Sequence, residues 1–555
     1  MKLEKKICLT PSALFWAFLF LQILVMLYYG HRKLNLFGDE IWTYNLANNY
    51  FEPFIGDASK YYNIWMTGEQ WNQKITVYPT YEFSFASVFF NQAHDVHPPL
   101  YYMVIHTICS LFPMQFSKWF GILPNILCFI VTQVLLCNFS KKLFRNEWLA
   151  VYVCLFWGFS WGTVNNVVYI RMYALLTIFA VLSYILHLTL IQNFNLKKFI
   201  MVLFVSFLGI FTQYYFLIYE FFVSAGFCAY LCYKGRFNIL IQYILGFIVV
   251  LITVIMAFPA VINQILGKVG NQGQAAFVNL ATSPFHSRID SFGHIISKDL
   301  FGGHIVWVAY LIVLLVLAKL LGLFCTVSVK SVLGWRKIVI KVSTHTFNKE
   351  WEVKFGFPEI CAAYALFVSL GYFLVIAKIA PYLESRYLVI IHPLLCVLFI
   401  YVLDKLRMLY TKSYKMMGTG VCILLILFCG HTYRANNLFG FDRNYQQIQD
   451  VIDTENGNIA QVVVTHSQSW WPAINELLVL RQISSSYMIS ENNIDSLTLA
   501  LQDYSKKHST ILVYRGFDCK IKDDEFITKI KSVTEFKNFK KLDTYMGDTY
   551  LFEKE

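Results

Sequence analysis

A succession of long apolar segments constrains this chain more than any other feature of its sequence. The first, residues 11–30, is long enough to cross a hydrocarbon core of roughly 30 Å as a helix. It is too long for the apolar region of a secretory signal peptide, and no small-residue cleavage motif follows it, so we predict a retained span. Similar segments predict further spans at 119–138, 148–168, 172–191, 198–217, 218–233, 238–261, 304–325, 357–379, 387–403 and 416–432.

The composition supports the same interpretation. Apolar residues make up 57% of the chain and charged residues only 14%, which lies outside the usual range for soluble globular proteins. We therefore predict a polytopic α-helical membrane protein with about eleven transmembrane helices.

The distribution of Lys and Arg predicts the orientation of these spans, because short cytoplasmic loops carry an excess of both residues. With the N-terminus in the cytoplasm, the inner segments hold 20 Lys and Arg in 73 residues, against 10 in the outer segments up to residue 386. We therefore predict a multi-pass plasma membrane protein with a cytoplasmic N-terminus and an extracytoplasmic C-terminus. The basic inner loops account for most of the net charge of +12, and they indicate contact with anionic membrane lipid and not with nucleic acid.

The segment HPPLYYMVIHTICSLFP, residues 97–113, is apolar but short for a span. Counting it as a span would invert every later loop and place the basic clusters outside. We predict instead a helix on the outer membrane surface, started by Pro98 and Pro99, since proline is tolerated in the first turn of a helix. Residues 31–118 then form one large extracytoplasmic loop of a transmembrane module that covers residues 1–432.

The composition changes after residue 432. The segments IAQVVVT, STILVYRG and DTYLFEKE are typical of β-strands, and a helical pattern follows the first of them. We therefore predict a small extracytoplasmic α/β domain at 433–555. It shows no recognisable catalytic groups and would serve as a lid or as a docking domain.

Polar residues gather at the predicted outer ends of the apolar segments. The motif NLFGDEIWTYNLA places Asp39 and Glu40 directly after the first span. Ionisable groups at membrane depth are costly, which makes them candidates for a functional site. The other polar and aromatic residues that the topology brings to this face are His94, Asp95, His97, Tyr101, Tyr102, Arg171, Gln213, Tyr214, Tyr215, Lys378, Glu384 and Arg386.

Each of these residues also has an ordinary interpretation. The two acids could simply end the first span, the arginines could extend to lipid headgroups, and the tyrosines could belong to an interfacial aromatic belt. His94, Asp95 and His97 form a weak metal-binding pattern. No cofactor motif is recognised, and a divalent metal stays an open alternative.

Carboxylates opposed by arginines at a membrane surface suit a lipid-linked sugar phosphate. Its isoprenoid tail would stay in the bilayer, while its anionic head would meet Arg171, Lys378 and Arg386. A carboxylate could then deprotonate an acceptor hydroxyl that attacks the anomeric carbon, and the cations would stabilise the phosphate that leaves. The acceptor could be a glycan, a lipid or a protein.

The order of these motifs resembles a known family. GDE after the first span, HPPLYY before a short helix, RMYALL, QYY and RYLVIIHP together resemble the polyprenyl-phosphate-dependent GT-C glycosyltransferases of the cell envelope. This group contains the protein O-mannosyltransferases and the aminoarabinose transferase of lipid A, and the resemblance is closest to its bacterial mannosyltransferase-like branch. It covers residues 1–403 and implies a GT-C catalytic module.

The resemblance also implies roles for single residues. Asp39 matches the catalytic acid of the family, Glu40 its acidic neighbour, and His97 the first residue of its HPP signature. Arg171 and Arg386 fall where the family places residues near the donor phosphate. Apart from the resemblance, we predict that Lys378 and His97 also bind this phosphate and that the acceptor or sugar pocket is lined by Tyr101, Tyr102, Gln213, Tyr214 and Tyr215. Two departures are the basic residue at position 171 and VVYI in place of the QEA that commonly precedes RMYAL.

Two other functional classes compete with glycosyl transfer. A lipid or polysaccharide transporter, such as a flippase, would need polar residues in mid-membrane and repeated halves, whereas the polar groups here cluster on one side. In a non-catalytic assembly protein, the paired acids and the arginines would be incidental. Release of sugar from a polyprenyl-phosphate donor would separate the first hypothesis from both.

Overall fold

The structure of the chain is a computed structural model. It describes residues 10–54, 58–270, 272–321, 326–332, 337–344, 347–354, 356–410, 413–435 and 445–555. Helices dominate it, as expected for the predicted membrane protein, and a smaller part near the C-terminus combines strands with helices.

The helices of the first half of the chain are α1 (Pro11–Arg32), α2 (Gly38–Asn48), α3 (Gly68–Gln73), α4 (Phe85–Ala93), α5 (Leu100–Ser110), α6 (Trp119–Phe144), α7 (Glu147–Phe159), α8 (Trp161–Val168), α9 (Tyr173–Gln192), α10 (Leu196–Ile210), α11 (Tyr215–Tyr233), α12 (Phe237–Ala257) and α13 (Val261–Ile265). The later helices are α14 (Gln272–Thr282), α15 (Phe285–Phe301), α16 (Ile305–Leu321), α17 (Phe357–Ile379), α18 (His392–Tyr410), α19 (Tyr414–Ala435), α20 (Tyr445–Thr454), α21 (Trp471–Leu480), α22 (Leu497–Ala500), α23 (Gln502–Ser505) and α24 (Asp523–Val533).

The strands form two sheets. They are β1 (Trp65–Thr67), β2 (Thr326–Val332), β3 (Lys337–Thr344), β4 (Phe347–Lys354), β5 (Ala460–Thr465), β6 (Ser485–Ser490), β7 (Thr510–Gly516), β8 (Asn538–Thr544) and β9 (Gly547–Glu553). A three-stranded antiparallel sheet has the order β2-β3-β4, and a six-stranded sheet has the order β1-β6-β5-β7-β9-β8.

Seven helices in the described residues are long and apolar enough to cross a membrane. The bent pair formed by α15 and α16 would bring the number to eight. The fold class of a polytopic helical protein is therefore confirmed, whereas the number of about eleven spans is not. The predicted span 148–168 is broken at Ser160 into α7 and α8, and α10 has only 15 residues, so neither reaches the length of a regular span.

The chain folds into two compact units. Unit 1 comprises residues 1–27, 125–168 and 172–435, and unit 2 comprises residues 28–124, 169–171 and 436–555. The predicted outer loop 31–118 and the C-terminal segment therefore fall in one unit. The sequence analysis predicted a domain boundary at residue 432, and it did not predict that the loop and the C-terminal segment belong to the same unit.

Apolar packing between helices forms the interior of unit 1. One cluster joins α9, α10, α11 and α12 through Leu190, Val202, Phe227 and Tyr243, all of which are buried. Full burial of an apolar side chain of this size contributes roughly 1.5–3 kcal/mol in water, and packing contacts act in the same direction inside a membrane. Asn195 caps α10 by accepting a hydrogen bond from the backbone N–H of Lys197.

The six-stranded sheet of unit 2 combines parallel and antiparallel pairs. Strands β5, β6 and β7 are parallel, and β9 and β8 continue the sheet in antiparallel register. Every residue of β5 is buried, which explains its continuous apolar sequence, and Val462, Ile511 and Phe552 contribute to the core on one face. The predicted α/β domain is confirmed in this sheet.

The outer edge of this sheet comes from the first predicted loop. In β1, Trp65, Met66 and Thr67 pair antiparallel with Tyr487, Ser486 and Ser485 of β6. The indole N–H of Trp71 donates to Ser486 Oγ at 2.7 Å and ties α3 to the same strand. Three residues with little alternation gave no strand signal in the sequence, because an edge strand of this length forms only against its partner.

Candidate active site

Helix α2 begins with the GDE motif and directs its two acids to different surroundings. Consecutive residues of a helix point about 100° apart, so one carboxylate can be buried while its neighbour is accessible. Glu40 is completely buried, whereas Asp39 is only half-buried. In the sequence only the family resemblance distinguished the two acids, whereas in the structure their surroundings distinguish them.

Glu40 connects three segments of unit 2. Its carboxylate forms an ion pair with the Lys33 ammonium at 2.8 Å, and both side chains are fully buried. It also accepts hydrogen bonds from the backbone N–H of Phe37 at 2.7 Å and of Ile170 at 2.8 Å. Burial raises the pKa of the Glu40 carboxyl above its ordinary value, while Lys33 and the two N–H groups oppose this shift. Glu40 thus fixes the start of α2 against residues 169–171.

The Asp39 carboxylate is fixed by a hydrogen bond, but it is not fully buried. The phenolic O–H of Tyr169 donates to Asp39 Oδ2 at 2.9 Å, and the carboxylate keeps part of its surface exposed. The Thr43 hydroxyl donates to the Asp39 carbonyl at 3.0 Å one turn along the helix. A fixed and accessible carboxylate of this kind can accept a proton from a bound molecule.

The glycine of the motif is required by close packing. A Cβ atom at Gly38 would lie 2.8 Å from the ring of Trp471, the first residue of α21. The Trp471 ring also packs on Trp42, with 5.3 Å between ring centroids. Gly38 therefore lets the first turn of α2 approach α21.

Arg171 organises the residues around Asp39. From Nη1 its guanidinium donates to the Asp39 carbonyl at 3.1 Å, to Thr43 Oγ1 at 3.0 Å and to the Tyr102 hydroxyl at 3.2 Å. From Nη2 it donates to His97 Nε2 at 3.2 Å. Because the side chain is buried among these protein groups, its geometry is that of a positioning residue. The donor-phosphate role expected from the sequence stays a prediction.

His97 links Arg171 to Asp95. Its Nδ1–H donates to Asp95 Oδ2 at 2.8 Å, which leaves Nε2 as the acceptor for Arg171. Burial lowers the pKa of the imidazole below its ordinary value, and the Arg171 charge lowers it further, while Asp95 and Asp39 act in the opposite direction. The neutral ring is therefore the form that this network holds.

This shift predicts how stability depends on pH. A lowered pKa in the folded state means that the unfolded chain binds the proton first, so His97 stabilises the fold above its ordinary pKa of about 6.5 and loses this contribution as the pH falls. We expect the thermal midpoint of the purified protein to fall more between pH 7 and pH 5 than that of His97→Asn. Parallel pH profiles of the two proteins would contradict this assignment.

The alternative of a metal site at His94, Asp95 and His97 gains no support. Among the described residues, no group of three or more His, Cys, Asp or Glu side chains could hold a metal ion. His94 is exposed, and its Nδ1–H donates to the Phe90 carbonyl at 2.8 Å at the end of α4. His97 is instead buried and uses both ring nitrogens within the network.

Several of the sequence-predicted residues belong to unit 1. Arg386 lies half-buried in the 3₁₀ turn Ser385–Tyr387, with its guanidinium 5.8 Å from the ring centre of Tyr382 and 5.6 Å from that of Tyr387. Lys378 and Ser283 exchange hydrogen bonds, since each side chain donates to the other's carbonyl at 2.9 Å. Lys378 therefore joins the end of α17 to the segment before α15.

The aromatic residues have separate environments. In unit 1, Gln213 accepts a hydrogen bond from the Tyr214 backbone N–H at 2.7 Å, the Tyr214 hydroxyl donates to Gln264 at 2.5 Å, and the Tyr215 ring packs edge-on against Tyr387. In unit 2, Tyr101 is buried beside Tyr102, and the Tyr102 hydroxyl accepts a hydrogen bond from the guanidinium of Arg171.

The sequence did not identify three residues that complete the Asp39 network. Lys33 follows the first span and was not separated from ordinary interfacial lysines, although its pairing with Glu40 is fully buried. Thr43 and Tyr169 contact Arg171 and Asp39 respectively. Thr43 lies one turn after Asp39 in α2, and this spacing is the signal that could have revealed it.

Comparisons with known proteins give little beyond this geometry. No family model matches the chain, and no curated protein matches it. Solved structures similar to it include ArnT from Cupriavidus metallidurans bound to undecaprenyl phosphate, with a TM-score of 0.47 and 11% identity over 97% of this chain and 98% of that one. The apo state of the same protein gives a TM-score of 0.46 and 10% identity with the same coverage. At this level of similarity, function has to be argued from the residues of the chain itself.

Proposed function

We propose that this protein is an inverting glycosyltransferase that moves a sugar from a polyprenyl-phosphate donor to an acceptor hydroxyl at the outer face of the membrane. One observation carries the proposal. Of two adjacent acids, Glu40 is buried and paired with Lys33, while Asp39 is accessible and fixed by Tyr169. This separation supplies a positioned base beside a structural carboxylate.

The proposed reaction needs one base and one cationic site. The Asp39 carboxylate takes the proton of the acceptor hydroxyl as the oxygen attacks the anomeric carbon. A bond forms between this oxygen and the carbon, the bond from the carbon to the phosphate oxygen breaks, and polyprenyl phosphate leaves with the electron pair. The leaving group is already an anion, so a cation beside it lowers the barrier without a general acid.

Arg386 is the preferred candidate for contact with the donor phosphate. It is half-buried beside two tyrosine rings, and its guanidinium can bind phosphate oxygens through two parallel hydrogen bonds. The apolar helices of unit 1 provide the environment that an isoprenoid tail requires. Lys378 and Arg171 are the other candidates: Lys378 donates to the Ser283 carbonyl, and Arg171 donates to the Asp39 carbonyl.

The decisive experiment is a transfer assay with purified protein. Vesicles that contain the full chain would be given a polyprenyl-phosphate donor with a radiolabelled sugar, and release of polyprenyl phosphate would be measured together with labelled glycan, lipid and protein. Sugar release that is lost in Asp39→Asn supports the proposal. Movement of intact donor between leaflets without sugar release would instead support the flippase.

A second prediction concerns the phosphate contact. Arg386→Ala is expected to lower the use of donor about tenfold to a hundredfold, because a hydrogen bond to a charged group contributes roughly 1.5–3 kcal/mol. Arg386→Lys should recover only part of this loss, since lysine lacks the planar fork of arginine. The matched control is Lys415→Ala, an exposed cation at the start of α19. Equal donor use in all four proteins would remove Arg386 from the site.

The proposed orientation can be tested by labelling. In a cysteine-free background, single cysteines at Glu69 and His286 should react with a membrane-impermeant maleimide on intact cells, because both positions are exposed and lie in predicted outer segments. A cysteine at Lys197, which is exposed in a predicted inner segment, should react only after permeabilisation. Labelling of His286 and Lys197 from the same side would show that the charge argument is wrong.

A further inference from the structure

A large open groove lies within unit 2, and the residues that line it differ from those around Asp39. Its volume is about 1180 Å³, and it is bordered by the start of β1, by β6 and by the segment that carries α22 and α23. Its volume slightly exceeds that of ordinary small-molecule sites, so it can accept a ligand of several rings. Neither Asp39 nor any residue of its hydrogen-bond network lines it.

Aromatic rings form one side of the groove. Trp65 of β1 is 38% exposed, and its ring lies 5.3 Å from that of Tyr487 and 6.2 Å from that of Tyr504, with an angle of only 26° to the latter. The Tyr504 ring in turn stacks on His508 at 4.2 Å. An exposed indole held by neighbouring rings offers a flat apolar face that binds planar or saturated rings at little entropic cost.

Short polar side chains also line the groove. Asn492, Asn493 and Asp495 come from the 3₁₀ helix Glu491–Ser496, Asp503 comes from α23, and Asn63 precedes β1. The asparagines and both carboxylates are exposed. Amides offer donors and acceptors together and carboxylates offer paired acceptors, which is the set needed to bind adjacent hydroxyl groups.

The charges of the groove favour a neutral ligand. Asp503 pairs with Lys506 at 2.9 Å and Asp495 faces Lys529 at 3.8 Å, so neither acid makes the groove strongly negative. Lys507 and His508 are the only basic residues on its described lining, and no arginine is among them. A phosphate or sulfate group would meet two carboxylates and no bidentate clamp.

We propose that this groove is a carbohydrate-binding site that takes a neutral oligosaccharide. A sugar ring would place its apolar C–H face on Trp65, while its hydroxyls would bind Asn493 and the neighbouring amides and acids. Resting on the proposed function, we further infer that the bound glycan is the acceptor, which the sheet domain would hold while the transfer takes place.

The test measures binding without transfer. The full chain would be placed in lipid nanodiscs, since sugar-based detergents would occupy the groove, and titrated with maltotriose and triacetylchitotriose as neutral probes and with AMP as an anionic aromatic probe. We expect a neutral oligosaccharide to bind and AMP not to bind. Trp65→Ala should weaken this binding about tenfold through loss of the ring contact, and Asn493→Ala about threefold to tenfold.

Phe517→Ala is the matched control, because this phenylalanine is exposed in the same unit but does not line the groove. Its affinity should equal that of the unmodified chain. Binding of AMP alone, binding of neither oligosaccharide, or an oligosaccharide affinity that neither Trp65→Ala nor Asn493→Ala changes from that of the unmodified chain would overturn the proposal. The Asn493 variant decides the matter if Trp65→Ala does not fold.

The same experiment separates the two proposals. Asp39→Asn should bind oligosaccharide with unchanged affinity, since Asp39 is not part of the groove. If the protein binds oligosaccharide but never releases sugar from the donor, the carbohydrate-binding site is supported and the proposed glycosyltransferase activity is rejected. Transfer that continues at full rate to glycan in Trp65→Ala would reject the acceptor role of the groove alone.

Discussion

Asp39→Asn is expected to lower the rate of sugar transfer by about 10²–10⁴-fold, the range for loss of a general base. The amide keeps the size of the carboxylate and can still accept the hydrogen bond from Tyr169, but it cannot take up the acceptor proton. The measurement is single-turnover transfer from a saturating polyprenyl-phosphate donor, which reports the chemical step separately from donor binding.

Two controls make this result specific. Donor binding and the thermal midpoint should be nearly unchanged in Asp39→Asn, because its side chain is half-buried and its hydrogen bond from Tyr169 is one that the amide retains. Tyr169→Phe should give a smaller loss, since it removes one hydrogen bond to the carboxylate and keeps the base itself. A wild-type rate in Asp39→Asn would reject the mechanism, and a complete loss in Glu40→Gln with normal stability would move the base to Glu40.

Lys33→Met should destabilise the protein by about 3–5 kcal/mol, because it leaves the Glu40 charge buried without its partner. Methionine is close to lysine in length and apolar, so the loss of volume contributes little. The free energy of unfolding would be measured on the purified protein by denaturant titration with tryptophan fluorescence. Transfer should fall together with stability, since Glu40 fixes α2 and the Ile170 backbone next to Asp39.

The double variant Lys33→Met with Glu40→Leu tests whether the loss of stability comes from the unpaired charge of Glu40 and not from changed packing around it. Removing both charges should recover much of the stability, because a buried ion pair contributes little net energy over apolar side chains. Lys60→Met is the matched control, since Lys60 pairs with Glu52 at the surface and should change stability by less than about 1 kcal/mol. Equal effects of Lys33→Met and Lys60→Met would exclude a buried pair.

Much of the architecture could be predicted from the pattern of apolar residues. A single apolar segment such as 357–379 can satisfy its own N–H and C=O groups inside a membrane only as a helix, and α17 has these same bounds. The strands β5, β7 and β9 were also predicted, since each is a short apolar run between polar turns. Spans that break or shorten, such as α7 with α8, could not be predicted because hydropathy does not report where a helix bends.

The candidate site likewise has features that the sequence predicted and features that only the tertiary structure showed. The sequence by itself determined that acids and cations lie near the ends of apolar segments, because charge is too costly within them. Only the tertiary structure decided that Lys33 neutralises Glu40, that Arg171 holds Asp39 and His97 together, and that Trp65 joins the C-terminal sheet. These choices depend on which distant segments meet, and the burial that separates two adjacent acids exists only after those segments have packed.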